Sequence, residues 1–176
     1  SAQSVVAATR EVPVVFAAVT DPVAAKLVTS WEPSGTNVTG VSDELPLEPQ
    51  IDLMKKLVPN VKTVGYVYSP GEVNSTVILE KLKIQLKTQG IEVIGAPAQR
   101  TTDISTAANS LAGKVQMIYT TTDNNVVSGY ESLYKVAVAS KIPLWASDTD
   151  TVKRGASAAL GVNYHDMGMQ AGKIVT

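Results

Sequence analysis

Short apolar runs rich in β-branched and aromatic residues alternate with segments of helical periodicity from one end of this chain to the other. No other feature constrains the fold as much. Strands separated by helices of roughly 10–16 residues need right-handed crossovers, which produce a parallel sheet with helices on its faces. The class read from this pattern is α/β, with parallel sheets flanked by helices.

Gln3–Arg10 reads as a helix, and Val14–Ala18 as a strand after Pro13. Thr20-Asp21-Pro22 predicts an N-cap with proline at the first helical position. A turn over Glu32–Asn37 precedes a short strand at Val38–Val41, and Leu47–Val58 reads as a helix with Ile51, Met54, Leu57 and Val58 on one face. Downstream, strands are expected at Thr63–Tyr68, Ile91–Ile94, Gln116–Tyr119, Pro143–Ala146 and Ala158–Val162. The helices between them are expected at Asn74–Gln89, Asp103–Ala112, Asn125–Ser140 and Thr149–Arg154, with a last one from Tyr164. In Asn125–Ser140 the spacing points Val127, Tyr130, Tyr134 and Val138 inward.

Several of the strands end in short polar turns: Phe16–Pro22, Tyr66–Ser75, Met117–Asn125 and Leu144–Asp150. In open parallel sheets ligands bind outside the carboxyl ends of the strands. These turns carry Ser, Thr, Asp and Asn but no Cys, His, Lys or Arg, a set suited to holding a small polar molecule rather than transforming it. A protonated amine needs an ionised acceptor, and a ligand carboxylate needs hydroxyls and free helix N–H groups. Asp21, Asn74, Asp103 and Asp148 each precede a helix, so capping explains any one of them alone. Tyr66, Tyr68, Tyr119, Trp145 and Tyr164 lie in or just after the strands that lead to these turns, where most are expected to pack in the core.

Other classes fall away on composition and motif. A net charge of −1, with scattered lysines, argues against a nucleic-acid surface. There are no cysteines, hence no disulfide or thiolate chemistry, and no apolar run approaches a bilayer span. No G-x-x-x-x-G-K-S/T loop and no G-x-S-x-G elbow occurs. The one histidine, His165, opens a helix and is read as a surface or capping residue. Asp148 and Asp150 lack a third metal ligand and are read as turn residues. No cofactor, no metal and no catalysis are expected.

The segments V-P-V-V-F-A-A-V-T-D-P (12–22), G-T-N-V-T-G-V-S (35–42), G-Y-V-Y-S-P-G-E-V-N-S (65–75), I-Y-T-T-T-D-N-N-V-V-S (118–128), P-L-W-A-S-D-T-D-T-V-K-R-G-A-S-A-A-L-G-V-N-Y (143–164) and G-M-Q-A-G (168–172) resemble ABC-transporter solute-binding proteins of the tryptophan/tyrosine type. That resemblance implies a type I periplasmic-binding-protein fold, in which two α/β lobes close by hinge motion on a solute. It implies a partial first lobe at 1–37, a crossover strand at 38–42, a second lobe at 43–155, a return crossover at 156–163 and the start of a first-lobe helix at 164–176. On this reading both ends of the chain are cut within the first lobe, which is only partly present, and the signal sequence lies outside the chain.

The same resemblance implies roles for the turn residues. Ser1 and Gln3, at a helix N-terminus, receive the ligand's carboxylate with Thr20, while Asn74 and Ser75 approach from the second lobe. Asp123 and Asp148 are the candidates for the ligand's ammonium, Asp123 being preferred because Thr121, Thr122 and Asn124 surround it. Asp21 and Ser147 complete the rim, and Tyr164 stacks on an aromatic ligand side chain. Thr20 is expected to face Asn74, Asp123 and Asp148 across the cleft. Replacing Asp123 with Ala should then weaken binding by several kcal/mol. The implied function is an extracytoplasmic receptor that delivers an amino acid, aromatic as the best guess, to ABC permease subunits in the membrane. The other reading is the ligand-sensing domain of a regulator with the same fold.

Overall fold

A computed structural model describes residues 2–33 and 35–176. Helix α1 (Ala2–Ala8) and strand β1 (Val14–Ala17) lead through a long irregular segment to β2 (Val38–Val41). Then follow α2 (Leu47–Leu57), β3 (Thr63–Tyr68), α3 (Val73–Lys87), β4 (Glu92–Pro97) and α4 (Ile104–Leu111). The remaining elements are β5 (Met117–Thr120), α5 (Asn124–Ser128), α6 (Tyr130–Ser140), β6 (Leu144–Ala146), β7 (Ala158–Ala159) and α7 (Tyr164–Val175). Short 3₁₀ helices at Thr101–Asp103 and Thr149–Arg154 precede α4 and β7. The chain divides into two compact units, one formed by the chain up to Leu45 with Val162–Thr176, the other by Pro46–Gly161.

In the first unit β1 and β2 pair in parallel, with Phe16 opposite Gly40. A Cβ on Gly40 would collide with the carbonyl and ring of Phe16, so only glycine lets that ring lie on the neighbouring backbone. The buried core here is small: Phe16, Leu27 and Val38, with Val6, Val14 and Val28 packed around it.

The second unit holds a five-stranded sheet in the order β4-β3-β5-β6-β7, parallel throughout. Strand alternation sorts its side chains onto two faces. Val64, Tyr66, Met117, Tyr119 and Trp145 pack with Ile51 and Met54 of α2 and Leu79 and Leu82 of α3. The intervening Val67, Ile118, Leu144 and Ala146 pack with Ile104 and Leu111 of α4 and Tyr130 and Leu133 of α6. The helices earn their places by spacing: α2 buries Leu47, Gln50, Ile51 and Met54, and α4 buries Ile104, Ala107, Ala108 and Leu111, each set at i, i+3, i+4, i+7. Glu48 in the first turn of α2 and Lys55 and Lys56 in its last also suit the helix dipole. The α/β class with parallel sheets flanked by helices is what the alternation led us to expect.

Some boundaries differ. Asp21 does cap, its Oδ1 accepting from the N–H groups of Val23 and Ala24 at 3.1 and 2.9 Å. No helix follows, because the chain turns at Lys26 into the left-handed region (φ 58°). The expected helix Asn125–Ser140 is broken at Gly129. There the backbone leaves the helical region (φ −105°, ψ 23°), and a Cβ would lie 2.5 Å from Ile104 Cδ1 and 2.8 Å from Thr101 Cγ2, so only glycine fits. The break resets the helical phase. Tyr130, Leu133 and Ala137 face the core, while Tyr134 and Val138, expected inward, are 40% and 57% exposed. Strand β4 runs three residues beyond its expected end at Ile94, and β7 is shorter than Ala158–Val162.

Candidate functional site

In the larger unit the chain steps outward from β3 to β4, then returns to the other side of β3 with β5. Order reverses between β3 and β5, and the crevice outside the carboxyl ends at such a reversal is where open α/β sheets take their ligands. Two loops meet there: Ser69–Glu72 after β3, and Thr121–Asp123 after β5.

Asp123 ties these loops together. Its Oδ2 accepts the Ser69 N–H at 2.6 Å, and its Oδ1 accepts the Ser69 hydroxyl at 2.9 Å. The same Oδ1 caps α5 through the N–H groups of Asn125 and Val126, both at 3.0 Å. Only 1% of the residue is exposed. Asp123 is therefore an internal strut, with both oxygens engaged by protein donors, and not the open acceptor expected for a ligand's ammonium. Ser75 is likewise interior, at 0% exposure. Its carbonyl accepts the Tyr66 hydroxyl at 3.0 Å, and Thr121 Oγ1 lies 3.0 Å from the same hydroxyl. Burial drives the Tyr66 pKa well above the ordinary phenol value, so it stays neutral.

Above this buried layer sits Glu72, which the sequence reading passed over. Its Oε2 accepts from the Asn124 N–H at 3.1 Å, from Asn124 Nδ2 at 2.9 Å and from Asn74 Nδ2 at 3.2 Å. Its Oε1 accepts from the Asn125 N–H at 3.3 Å. Asn74 Nδ2 also donates to the Thr122 carbonyl at 3.2 Å. An acidic side chain between a Pro-Gly turn and Asn74 was the signal available in the sequence; its other partners, Asn124 and Asn125, lie more than 50 residues away, which hid them.

Asp148 begins the 3₁₀ turn after β6. Its Oδ1 accepts from the Asp150 N–H at 3.0 Å, and among the described residues nothing donates to its Oδ2. The neighbouring Ser147 donates its N–H to the Thr120 carbonyl at 3.0 Å. Both are half-buried.

The remaining expected residues lie in the first unit. Thr20 is buried; its hydroxyl donates to Asp43 Oδ1 at 2.9 Å and its carbonyl accepts the Ser42 hydroxyl at 2.9 Å. Burial lifts the Asp43 carboxyl above its usual range, against the lowering effect of the Thr20 hydrogen bond. Gln3 donates its Nε2 to the Ala25 carbonyl at 3.1 Å from an exposed position. Asp21 caps its turn as described, and Tyr164, at the start of α7, is 44% exposed. Ser1 lies outside the described residues. His165 is an exposed helix-start residue whose N–H bonds to the capping Asn163. Among the described residues no group of three or more His, Asp or Glu side chains is placed to hold a metal.

The rim thus presents hydrogen-bond acceptors and hydroxyls. Residues 1–176 match the family model described as ABC transporter substrate binding protein. The chain is 38% identical to a tyrosine-binding protein of Clostridioides difficile (strain R20291), covering 99% of this chain and 50% of that protein. A crystal structure of a conserved domain protein from Vibrio cholerae O1 biovar El Tor superposes with a TM-score of 0.95 at 42% identity, covering 99% of this chain and 59% of that one. An ABC domain from Streptococcus pneumoniae, solved in complex with L-Trp, superposes with a TM-score of 0.94 at 37% identity and the same coverage. The chain spans about half the length of the curated relatives it matches. With its whole length inside the family model, the chain belongs to the ABC transporter substrate-binding proteins, a substrate-binding and not a catalytic family.

Proposed function

We propose that this protein is the extracytoplasmic receptor of an ABC importer, that its solute is an amino acid with an aromatic side chain, and that it hands this solute to membrane permease subunits. The observation that carries the reading is the set of open acceptors at the rim of the larger unit. Asn74 Oδ1, Asn124 Oδ1 and Asp148 Oδ2 receive no hydrogen bond from the described residues. That set suits a ligand whose ammonium donates several hydrogen bonds, with Asp148 as the ionised partner. The aromatic side chain is supported by the names of two relatives, one tyrosine-binding and one solved with L-Trp. Thr122 and Ser147 are assigned to the same rim. No helix of the described residues is long and apolar enough to cross a membrane, so delivery needs a separate permease in this reading.

A thermal-shift screen of the full protein against the protein amino acids, sugars and inorganic anions tests this. A ligand that binds only the folded state raises the melting temperature, the more so the higher its concentration relative to its Kd. A rise with L-Trp or L-Tyr is expected; a rise with sugars or anions alone would overturn it.

A further inference from the structure

The rim acceptors are available only because something else holds the other ends of the same amides. A primary amide presents one oxygen acceptor and one NH₂ donor, and which end faces a site is decided by its neighbours. At Asn74 one end of the amide lies 3.2 Å from Glu72 Oε2 and 3.2 Å from the Thr122 carbonyl. Both neighbours are acceptors, so that end is the NH₂. At Asn124 one end lies 2.9 Å from the same Glu72 Oε2, and again only the NH₂ fits. The flipped orientation would set an amide oxygen against a carboxylate, a repulsive contact.

We propose that Glu72 is a positioning residue for ligand recognition: by binding the NH₂ ends of Asn74 and Asn124 it commits both amide oxygens as acceptors for the ligand's ammonium. Three further details fit. Glu72 is itself held by the N–H groups of Asn124 and Asn125, so its carboxylate is anchored from the β5 side of the crevice while its backbone belongs to the β3 side. Glu72 ends the loop after β3, and Asn74 and Asn124 stand in the first turns of α3 and α5, all flanking the β3–β5 reversal where the topology puts a ligand. A carboxylate behind two amides also strengthens the negative end of each dipole by polarising the chain of hydrogen bonds. Glu72 does not touch the ligand in this scheme. It selects a ligand that donates over one that accepts.

This inference rests on the proposed amino-acid ligand, and the test separates the two. Calorimetric titrations of the full protein are run with L-Trp, L-Tyr and indole-3-propionate, which keeps the ring and carboxylate of Trp but lacks its amine. In E72A the Asn124 amide is free to turn and the Asn74 amide is held by the Thr122 carbonyl alone, and affinity for the amino acid falls roughly ten- to a hundredfold, the range expected for weakened hydrogen bonds to a charged group. Affinity for the amine-free analogue stays within about twofold, so their ratio narrows. E72Q keeps one acceptor oxygen and gives an intermediate ratio; it also carries the comparison if E72A melts below the assay temperature. A merely structural Glu72 would weaken both ligands alike, and that result overturns the inference while leaving the function standing. Failure of wild-type protein to bind any amine-bearing amino acid overturns the function, and the inference with it.

Discussion

Ser69 gives both its backbone N–H and its hydroxyl to the carboxylate of Asp123, 54 residues further along the chain, at 2.6 and 2.9 Å. This double contact locks the β3 loop to the β5 loop at the point where the sheet order reverses, and the helix cap on α5 hangs from the same carboxylate.

Removing that carboxylate is a stability experiment before it is a binding experiment. D123A leaves the Ser69 N–H and hydroxyl and the Val126 N–H without their acceptor in a buried layer, and should lower unfolding free energy by about 3 kcal/mol. D123N keeps an oxygen for the α5 cap but sets an NH₂ toward the Ser69 N–H, and should cost about 1–2 kcal/mol. Urea unfolding monitored by tryptophan fluorescence checks both, with the midpoint falling and the slope unchanged. A D123A protein as stable as wild type would show that the strut is not needed.

Asp148 should behave in the opposite way. D148N retains the Oδ1 that accepts the Asp150 N–H, and asparagine is as good a cap as aspartate. Melting temperature is therefore expected to hold within a degree or two, while the ionised oxygen is lost and affinity for L-Trp or L-Tyr drops about tenfold or more. Equal affinity in D148N and wild type, measured by calorimetry, removes Asp148 from the site.

These two aspartates mark the boundary of what could be read from residues alone. The alternation of Val64 and Tyr66 with Gly65 and Val67, and the i, i+3, i+4, i+7 sets of α2 and α4, are local patterns, so sheet, faces and helix positions were legible. Asp123 and Asp148 are both acids in polar turns at strand ends. Their difference is set by whether a distant partner, Ser69, reaches the carboxylate, and no spacing rule carries that. Gly129 is the same lesson in the backbone. One glycine in a helical pattern is tolerated in general, and here it stands at a helix break where Thr101 and Ile104, distant in the pattern, leave no room for a Cβ. Glu72 was in plain view within S-P-G-E-V-N-S, yet its meaning depends on Asn124 and Asn125.

A polar pair in the core offers a third check. The Tyr119 hydroxyl donates to Gln50 Oε1 at 2.6 Å, with the two residues 1% and 2% exposed. Y119F strands that buried amide oxygen and should destabilise by about 1–3 kcal/mol. Adding Q50L to Y119F replaces both polar partners with apolar groups and should restore most of the loss, because an unpaired buried polar atom costs more than an absent pair. A double-mutant cycle in which the two losses simply add would contradict the coupling.

On the surface, Arg154 donates Nε and Nη2 to the two oxygens of Glu131 at 2.7 and 2.8 Å. This guanidinium hydrogen bond lowers the Glu131 pKa from 4.5 to about 2. A depressed carboxylate pKa stabilises the folded state above the unfolded value, and the benefit is lost as protons bind between pH 4.5 and about 2. The melting temperature of wild type should exceed that of E131Q at neutral pH, and the gap should close across that acid window. The gap is expected to be small because the pair is exposed and screened by salt. A gap that widens on acidification reverses the sign and refutes the assignment.

Binding itself is the most direct measurement. Isothermal titration calorimetry of the full protein with L-Trp and L-Tyr should give saturable one-to-one heats, lost on methylating the ligand amine to a quaternary ammonium, which keeps the charge but has no N–H to donate to the open amide oxygens. No heat from either amino acid, or unchanged affinity for the quaternary derivative, would contradict recognition of an aromatic amino acid through its ammonium donors.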